Sequence, residues 1–449
     1  MTDTSEIRTD ARGNLPDDGQ FFRTGNYAPV PDELTDDNLV VQGCIPPDLD
    51  GWYLRNGPNP RQATAHWFTG DGMIHGVRIQ DGQAKWYRNR WVQTDSFNND
   101  FPLYNADGTR NLHSSVANTH VVNHAGRTLA LVESSLPYEI SNDLQTLGAW
   151  DFGGKLVDSM TAHPKICPTT GELHFFGYGN IFAPHVTYHR ADANGDLVIN
   201  RPVEVPALTM MHDFAMTAGH VIFMDLPIVF NLDIALAGES DMPYRWDDAY
   251  GARLGVLRRD DPFGEIRWFD IDPCYVFHVS NAYERGNTLV LQAVRYPELW
   301  RNTGDFEADG VMWSWTLDLA AGTVSERQID DVAVEFPRID DRLAGLPARY
   351  SVSVAGDSLI RYDLEDGSAQ RHSFGTGRPG EAVFVPSADG PADESNGYHL
   401  GYVYDPERDG SDLVILDAAN FTGAPVATIR LPRRVPYGFH GNWIAGQPT

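Results

Sequence analysis

Four of the fifteen histidines in this chain share a setting: each follows or precedes apolar residues at the head of an extended run. They are His163 in "TAHPKI", His212 in "MMHDFAMT", His278 in "YVFHVSNAYE" and His440 in "PYGFHGNWI". A single histidine in an apolar β context is ordinarily a hydrogen-bonded core or surface residue. Four in equivalent positions suggest a transition-metal site, because neutral imidazole suits Fe, Cu, Ni or Zn. Their separations of 49, 66 and 162 residues match no local motif such as HExxH, so only tertiary structure can bring them together.

The elements that would do so are short strands. "HGVRIQDGQAKWYRNRW" alternates apolar and polar residues on both sides of Asp81-Gly82, the pattern of a β-hairpin. Hairpins of the same design surround Gly126, Gly171, Gly322 and Gly367. Gly82, Gly126 and Gly171 lie 44 and 45 residues apart, and Gly322 and Gly367 again 45 apart. Periods of 40–50 residues holding several strands each indicate propeller blades, and a chain of 449 residues accommodates about seven. Starts of inner strands in a propeller point at the central axis, where four imidazoles from four blades can meet. Only 225–238, "DLPIVFNLDIALAG", reads equally as helix or loop. The expected organisation is a polar tail over 1–20 and one all-β propeller domain over 21–449.

Lys and Arg number 34 against 62 Asp and Glu, a net charge of −28, which disfavours nucleic acid and anionic membrane surfaces as charge-driven partners. Cys44, Cys167 and Cys274 are odd in number and lack CxxC spacing, so neither a disulfide framework nor a cysteine metal site is indicated. The N-terminal stretch lacks the apolar core of a signal peptide, and no apolar run of about eighteen residues occurs, so the expected location is the cytoplasm.

The motifs "GCIPPDLDGWYLRNGPNP", "HWFTGDGMIHGVRI", "TAHPKI", "MMHDFAMT", "FHVSNAYE" and "PYGFHG", in this order, resemble those of the carotenoid cleavage oxygenase family, which includes apocarotenoid oxygenases, the retinal pigment epithelium isomerase and stilbene-cleaving dioxygenases. The resemblance runs from residue 43 nearly to the C-terminus. It implies a seven-bladed propeller with a looped or helical cap and one Fe(II) per chain on the axis, held by His163, His212, His278 and His440. It further implies that Glu133, Glu335 and Glu381 hold three of the imidazoles from behind, and that the methyl of Thr119 crowds an open metal position. A ligating imidazole needs an acceptor on its other N–H, which fixes tautomer and orientation and raises basicity.

Four neutral ligands leave a ferrous ion its full charge and two octahedral positions for O₂ beside an organic substrate. The implied reaction is oxidative cleavage of one C=C bond of a carotenoid or apocarotenoid to two carbonyl products. Trp67, Phe68, Phe101, Tyr104, Trp150, Phe277 and Trp300 are the expected walls of an apolar substrate tunnel. The stretch 223–238 occupies the region that in the family dips into a membrane, so a transient peripheral contact through apolar insertion is expected there. Stilbene cleavers generally carry a Lys before the glutamate matching Glu133; here Val132 stands in its place, which favours a polyene. A stilbene or phenylpropene dioxygenase is the alternative, and a metal-free propeller acting as a binding module is the competing class. Oligomeric state is not legible.

Overall fold

A computed structural model describes residues 20–64, 66–237, 242–302, 308–388 and 393–446. Apart from Gln20, the expected polar tail lies outside the described residues.

Seven antiparallel sheets form the blades of a propeller. The first blade runs from its inner strand Gly441–Ala445 outward through Gly51–Pro58, Gly72–Gln80 and Gln83–Trp91 to Leu34–Asp36. The second to sixth blades each begin at the axis with His120–His124, Lys165–Ile166, Phe214–Met216, Val279–Arg285 and Glu335–Arg338. The seventh begins with Val383–Pro386 and ends, beyond Ala427–Arg430, with Val40–Gly43. N-terminal strands thus complete the outside of the first and seventh blades, while the C-terminal strand completes the inside of the first, where Gly51 pairs with Ala445. This interlock closes the ring and leaves few free sheet edges.

Burial follows radial position. Strands inside a blade are covered on both faces by neighbouring blades and read as near-continuous apolar runs. Leu173–Tyr178 is buried throughout, whereas the outer strand Thr323–Ala333 alternates with solvent. Phe176, Phe214, Phe223 and Trp315 belong to the largest core cluster, which fills the space between the third, fourth and fifth blades.

The fourth blade carries an insertion. The ambiguous stretch 225–238 contains a strand Ile228–Phe230 paired with Tyr244–Trp246, and between them a six-residue helix Leu232–Ala237. Gly238 lies outside the described residues. Residues 223–228 are buried in the blade, and the exposed apolar side chains of the segment are Leu232 and Leu236, the latter 77% exposed.

Candidate metal centre

The four histidines stand where the chain enters an inner strand. His163 and His212 lie two residues before Lys165–Ile166 and Phe214–Met216, and His278 and His440 immediately precede Val279–Arg285 and Gly441–Ala445. Each therefore projects from the same end of a different blade toward the axis. Thr119 occupies the equivalent position on the second blade, Glu335 opens the inner strand of the sixth, and Glu381 lies two residues before that of the seventh.

The imidazoles converge. Nε2 of His163 lies 3.0 Å from Nε2 of His212, which lies 3.3 Å from Nε2 of His278. His163, His212 and His278 offer ligand atoms all within 4.8 Å of one another. The His440 ring completes the group, with its centroid 4.6 Å from that of His163 and 4.7 Å from that of His278.

Three glutamates hold these rings from behind. His278 Nδ1 donates to Glu335 Oε2 at 2.5 Å, His440 Nδ1 donates to Glu381 Oε1 at 2.9 Å, and His212 Nδ1 contacts Glu133 Oε1. A carboxylate only accepts, so each Nδ1 carries the hydrogen and each neutral ring turns a lone pair inward from Nε2. Each glutamate is fixed in turn through its second oxygen or its neighbours. Tyr178 donates to Glu133 at 2.5 Å, Tyr296 donates to Glu335 at 2.8 Å, and Glu381 Oε2 accepts from the Gly441 N–H at 2.7 Å and from Arg338 Nη1 at 3.2 Å. The two tyrosines and Arg338 were not singled out from sequence. Only their placement across neighbouring strands reveals them.

Neutral His212 and His278, each with its hydrogen on Nδ1, face their Nε2 lone pairs at one another across 3.3 Å, an arrangement that repels unless a cation lies between them. Nitrogens about 2.1 Å from one ion and at right angles to each other would be about 3.0 Å apart. The donor set therefore fits a divalent transition metal with imidazole ligands. The local field agrees. Burial disfavours the charged form of His278, yet the Glu335 carboxylate outweighs it and raises the pKa above the ordinary value. Burial and the neighbouring imidazoles hold His163 and His440 well below it. Glu335 itself is driven below the usual carboxylate range, because His278 and its hydrogen bonds overcome desolvation.

A cavity of about 830 Å³ opens onto His212, His278 and His440. Its wall includes Trp67, Phe68, Phe101, Tyr104, Thr119, Val132 and Phe277. Thr119 donates its hydroxyl to Asn118 Oδ1 at 2.9 Å, and its carbonyl accepts from the His440 N–H at 3.0 Å. Two of the expected tunnel residues lie elsewhere. Trp150 packs beside Phe152 beneath the Arg127 guanidinium at the outer part of the second blade, so its flanking apolar residues reflect blade packing. Trp300 is fully buried behind Phe68 and Phe277, at ring distances of 6.1 and 6.0 Å, and backs the wall without facing the cavity. Tyr27, Tyr437 and Phe439 are wall residues that sequence reasoning passed over, although the last two stand within the "PYGFHG" motif.

Comparison with known proteins places this geometry in context. The family model of retinal pigment epithelial membrane protein matches residues 27–445. A carotenoid cleavage oxygenase of Mycobacterium tuberculosis is 38% identical over 488 aligned positions, covering 94% of this chain and 97% of that protein. A carotenoid 9,10(9′,10′)-cleavage dioxygenase of Arabidopsis thaliana is 34% identical, covering 94% and 89%. Among solved structures, the cobalt-substituted apocarotenoid oxygenase of Synechocystis superposes with a TM-score of 0.83 at 27% identity, covering 93% and 97% of the two chains. The lignostilbene dioxygenase of Pseudomonas brassicacearum gives 0.86 at 26%, covering 94% and 98%. The seven-bladed propeller expected from the hairpin periodicity is the fold observed, and the chain belongs to the retinal pigment epithelial membrane protein family of carotenoid cleavage oxygenases.

Proposed function

We propose that this oxygenase holds one Fe(II) on His163, His212, His278 and His440 and uses O₂ to cleave one C=C bond of a carotenoid or apocarotenoid into two carbonyl compounds. Both oxygen atoms enter the products, so the reaction balances without a cosubstrate. The observation that carries the reading is the convergence of inward-facing imidazole nitrogens at the end of an aromatic cavity. When bound, the ferrous ion supplies the one-electron chemistry that lets O₂ react with a closed-shell alkene. The protein does the rest. Glu133, Glu335 and Glu381 fix the tautomers and directions of three ligands. Trp67, Phe68 and Phe277 grip a rigid apolar chain and exclude water from the reacting bond. The hydroxyl of Thr119 is taken by Asn118, which leaves its methyl to crowd the ligand-facing end of the cavity. No protein nucleophile or general base is needed.

A cavity of this size lies within the range of about 300–1,000 Å³ found for small-molecule sites and accommodates a long isoprenoid. At its outer end Phe101 and Leu103 are exposed, and Tyr104 packs against Phe230 of the fourth-blade insertion, 6.3 Å between ring centroids. Leu232 and Leu236 follow Phe230 in the same insertion and are exposed, so this segment and Phe101 and Leu103 offer apolar side chains suited to shallow contact with a lipid surface, from which a water-insoluble substrate would be taken. Among the described residues no helix is long and apolar enough to cross a membrane.

A phenolic stilbene is the second reading, and a specific observation favours it. Tyr104 and Arg110 also line the cavity, with the guanidinium 5.4 Å from the Tyr104 ring centroid, and could bind a phenol oxygen although Val132 offers none. The test is direct. Iron-loaded protein is incubated in air with an equal mixture of an all-trans apocarotenal and a hydroxystilbene, and the products are separated by chromatography. Shorter apocarotenals with intact stilbene support the polyene reading and locate the cleaved bond. Hydroxybenzaldehydes transfer the assignment to stilbenes.

A further inference from the structure

The histidines are approached from two sides. The aromatic cavity lies on the side from which the chain enters the inner strands. A second chamber of about 420 Å³ follows those strands along the axis and is lined by residues that come after the ligands, among them Lys165, Ala215, Ser280 and Asn442, as well as by His163, His278 and His440 themselves. Unlike the cavity, the chamber has no Phe, Tyr or Trp in its wall among the described residues, and beside apolar residues such as Val122, Ile166 and Ile339 it carries ion pairs. Lys165 Nζ pairs with Asp213 Oδ1 at 2.7 Å on the chamber wall, and Arg338 spans Glu381 and Asp341. The chamber opens to solvent beside Asp341 and Arg342, whose side chains are 61% and 40% exposed, and Ala344 stands at this mouth.

His120 lines the chamber directly against the ligands, its ring centroid 5.1 Å from that of His440 and 6.2 Å from that of His163. Its Nδ1 donates to the Ala162 carbonyl at 2.9 Å, so the neutral ring carries a lone pair on Nε2. That atom is buried and makes no hydrogen bond among the described residues.

We propose that this chamber is the passage by which a hydrated divalent cation reaches and leaves the four histidines, with His120 Nε2 as its last stop. The inference rests on the metal reading above. A hydrated ion loses its solvent at great cost in an aromatic cavity, whereas the paired charges and amides set along the chamber wall can replace part of that solvent group by group. Every wall charge named here has an opposite partner, so the passage neither traps a cation nor repels it. The two routes therefore divide the traffic: apolar substrate enters on one side and the ion on the other.

The test follows Co(II) uptake by metal-free protein through its visible absorption, and its release to a chelator. A barrier placed on a path slows entry and exit by the same factor and leaves the equilibrium untouched. Ala344→Phe, at the mouth and away from every ligand, should slow uptake and release together by about tenfold or more, a barrier increase of roughly 1.4 kcal/mol, with unchanged affinity and spectrum. His120→Phe, which removes the last stop, should also slow uptake and release. In the unmodified protein, filling the aromatic cavity with a saturated isoprenoid alcohol should leave uptake unchanged. Uptake at the ordinary rate in both variants, or uptake blocked by the alcohol, overturns the passage. If the variants fail to fold, the alcohol experiment decides alone. Unmodified protein that binds no Co(II) at these histidines overturns the metal reading itself, a result distinct from Co(II) bound at unaltered rates.

Discussion

Glu381→Gln is the substitution whose consequence follows most directly from the geometry. Glu381 is 3% exposed and accepts three hydrogen bonds, from His440 Nδ1 at 2.9 Å, the Gly441 N–H at 2.7 Å and Arg338 Nη1 at 3.2 Å. All three partners are donors, and an amide has only one accepting atom. If the glutamine oxygen faces His440, its NH₂ group meets Gly441 and the guanidinium. If it faces those two, the NH₂ meets Nδ1–H of His440 and the ring must change tautomer, which places a hydrogen on Nε2 and removes it as a ligand. Either way a buried charge-assisted hydrogen bond is lost, about 1.5–3 kcal/mol. Metal affinity should fall about 10–100-fold, as it does when such partners of ligating imidazoles are removed. Arg338 keeps its pairing with Asp341 at 3.1 Å, so the fold should survive. Competition titration of Co(II) against a chelator measures the affinity, and thermal melting of the metal-free protein checks the fold. Affinity within twofold of the parent, with melting unchanged, would refute the assignment of Glu381 as the group that orients His440.

Tyr296→Phe removes one donor from Glu335 and leaves its bond to His278, so a loss of about 0.5–1.5 kcal/mol in thermal stability is expected, with Co(II) affinity lowered less than in Glu381→Gln. The reverse order of affinities would show that Tyr296, not the Phe336 N–H that also donates to Glu335 at 2.5 Å, fixes the carboxylate. Val132→Lys places an ammonium on the cavity wall beside Glu133 and should raise hydroxystilbene cleavage relative to apocarotenal cleavage by about tenfold, since a charged hydrogen bond to phenol oxygen contributes over 1 kcal/mol. An unchanged ratio in the mixed-substrate assay would remove Val132 as a determinant. Acid should destabilise the fold through two buried histidines that are not among the four converging ones. Burial lowers His174 and His189 from 6.5 to about 4. The unfolded chain binds protons at these sites below pH 6.5 while the folded chain resists them until about pH 4, so stability rises with pH across that window and is lost as pH falls through it. About 3 kcal/mol per histidine is at stake. Thermal midpoints should fall steeply between pH 6.5 and 4, and His189→Gln, which can still meet Asn200, should make that slope shallower.

Hairpins and the motifs around the converging histidines were legible because both are local. The turn glycines Gly126 and Gly171 do occupy equivalent places, between the first and second strands of adjacent blades, with φ of +79° and +70°. Gly82 does not. It joins the two outer long strands of the first blade, so its distance of 44 residues from Gly126 matches the repeat by coincidence of loop lengths. Ring closure was not legible at all, since nothing in "VVQG" or in "GNWIA" announces a partner some four hundred residues away. The aromatic cavity was half legible. Residues beside a ligand motif, such as Phe277, face it, but Trp150 belongs to a blade edge whose apolar flanks look the same in one dimension.

The uneven spacings of the four histidines become regular once the blades are known. His163 to His212, 49 residues, is one blade. His212 to His278, 66 residues, is one blade lengthened by the insertion that carries the helix Leu232–Ala237. The 162 residues from His278 to His440 span three blades, and the two intervening inner strands start beside Glu335 and Glu381, at steps of 57, 46 and 59. The ring thus places an imidazole or a carboxylate at six of its seven equivalent positions and Thr119 at the seventh. Those carboxylates reach sideways to the histidine of the adjoining blade, Glu335 to His278 and Glu381 to His440. Glu133 breaks the pattern: it follows the second strand of the second blade and reaches His212 on the fourth. The exception has a structural reason. The two positions that adjoin His212 in the ring are already taken by His163 and His278, so its carboxylate must come from elsewhere, and it does so through the turn after Arg127–Leu131. A propeller that placed a seventh charged or coordinating group at residue 119 would close the side on which the substrate has to lie.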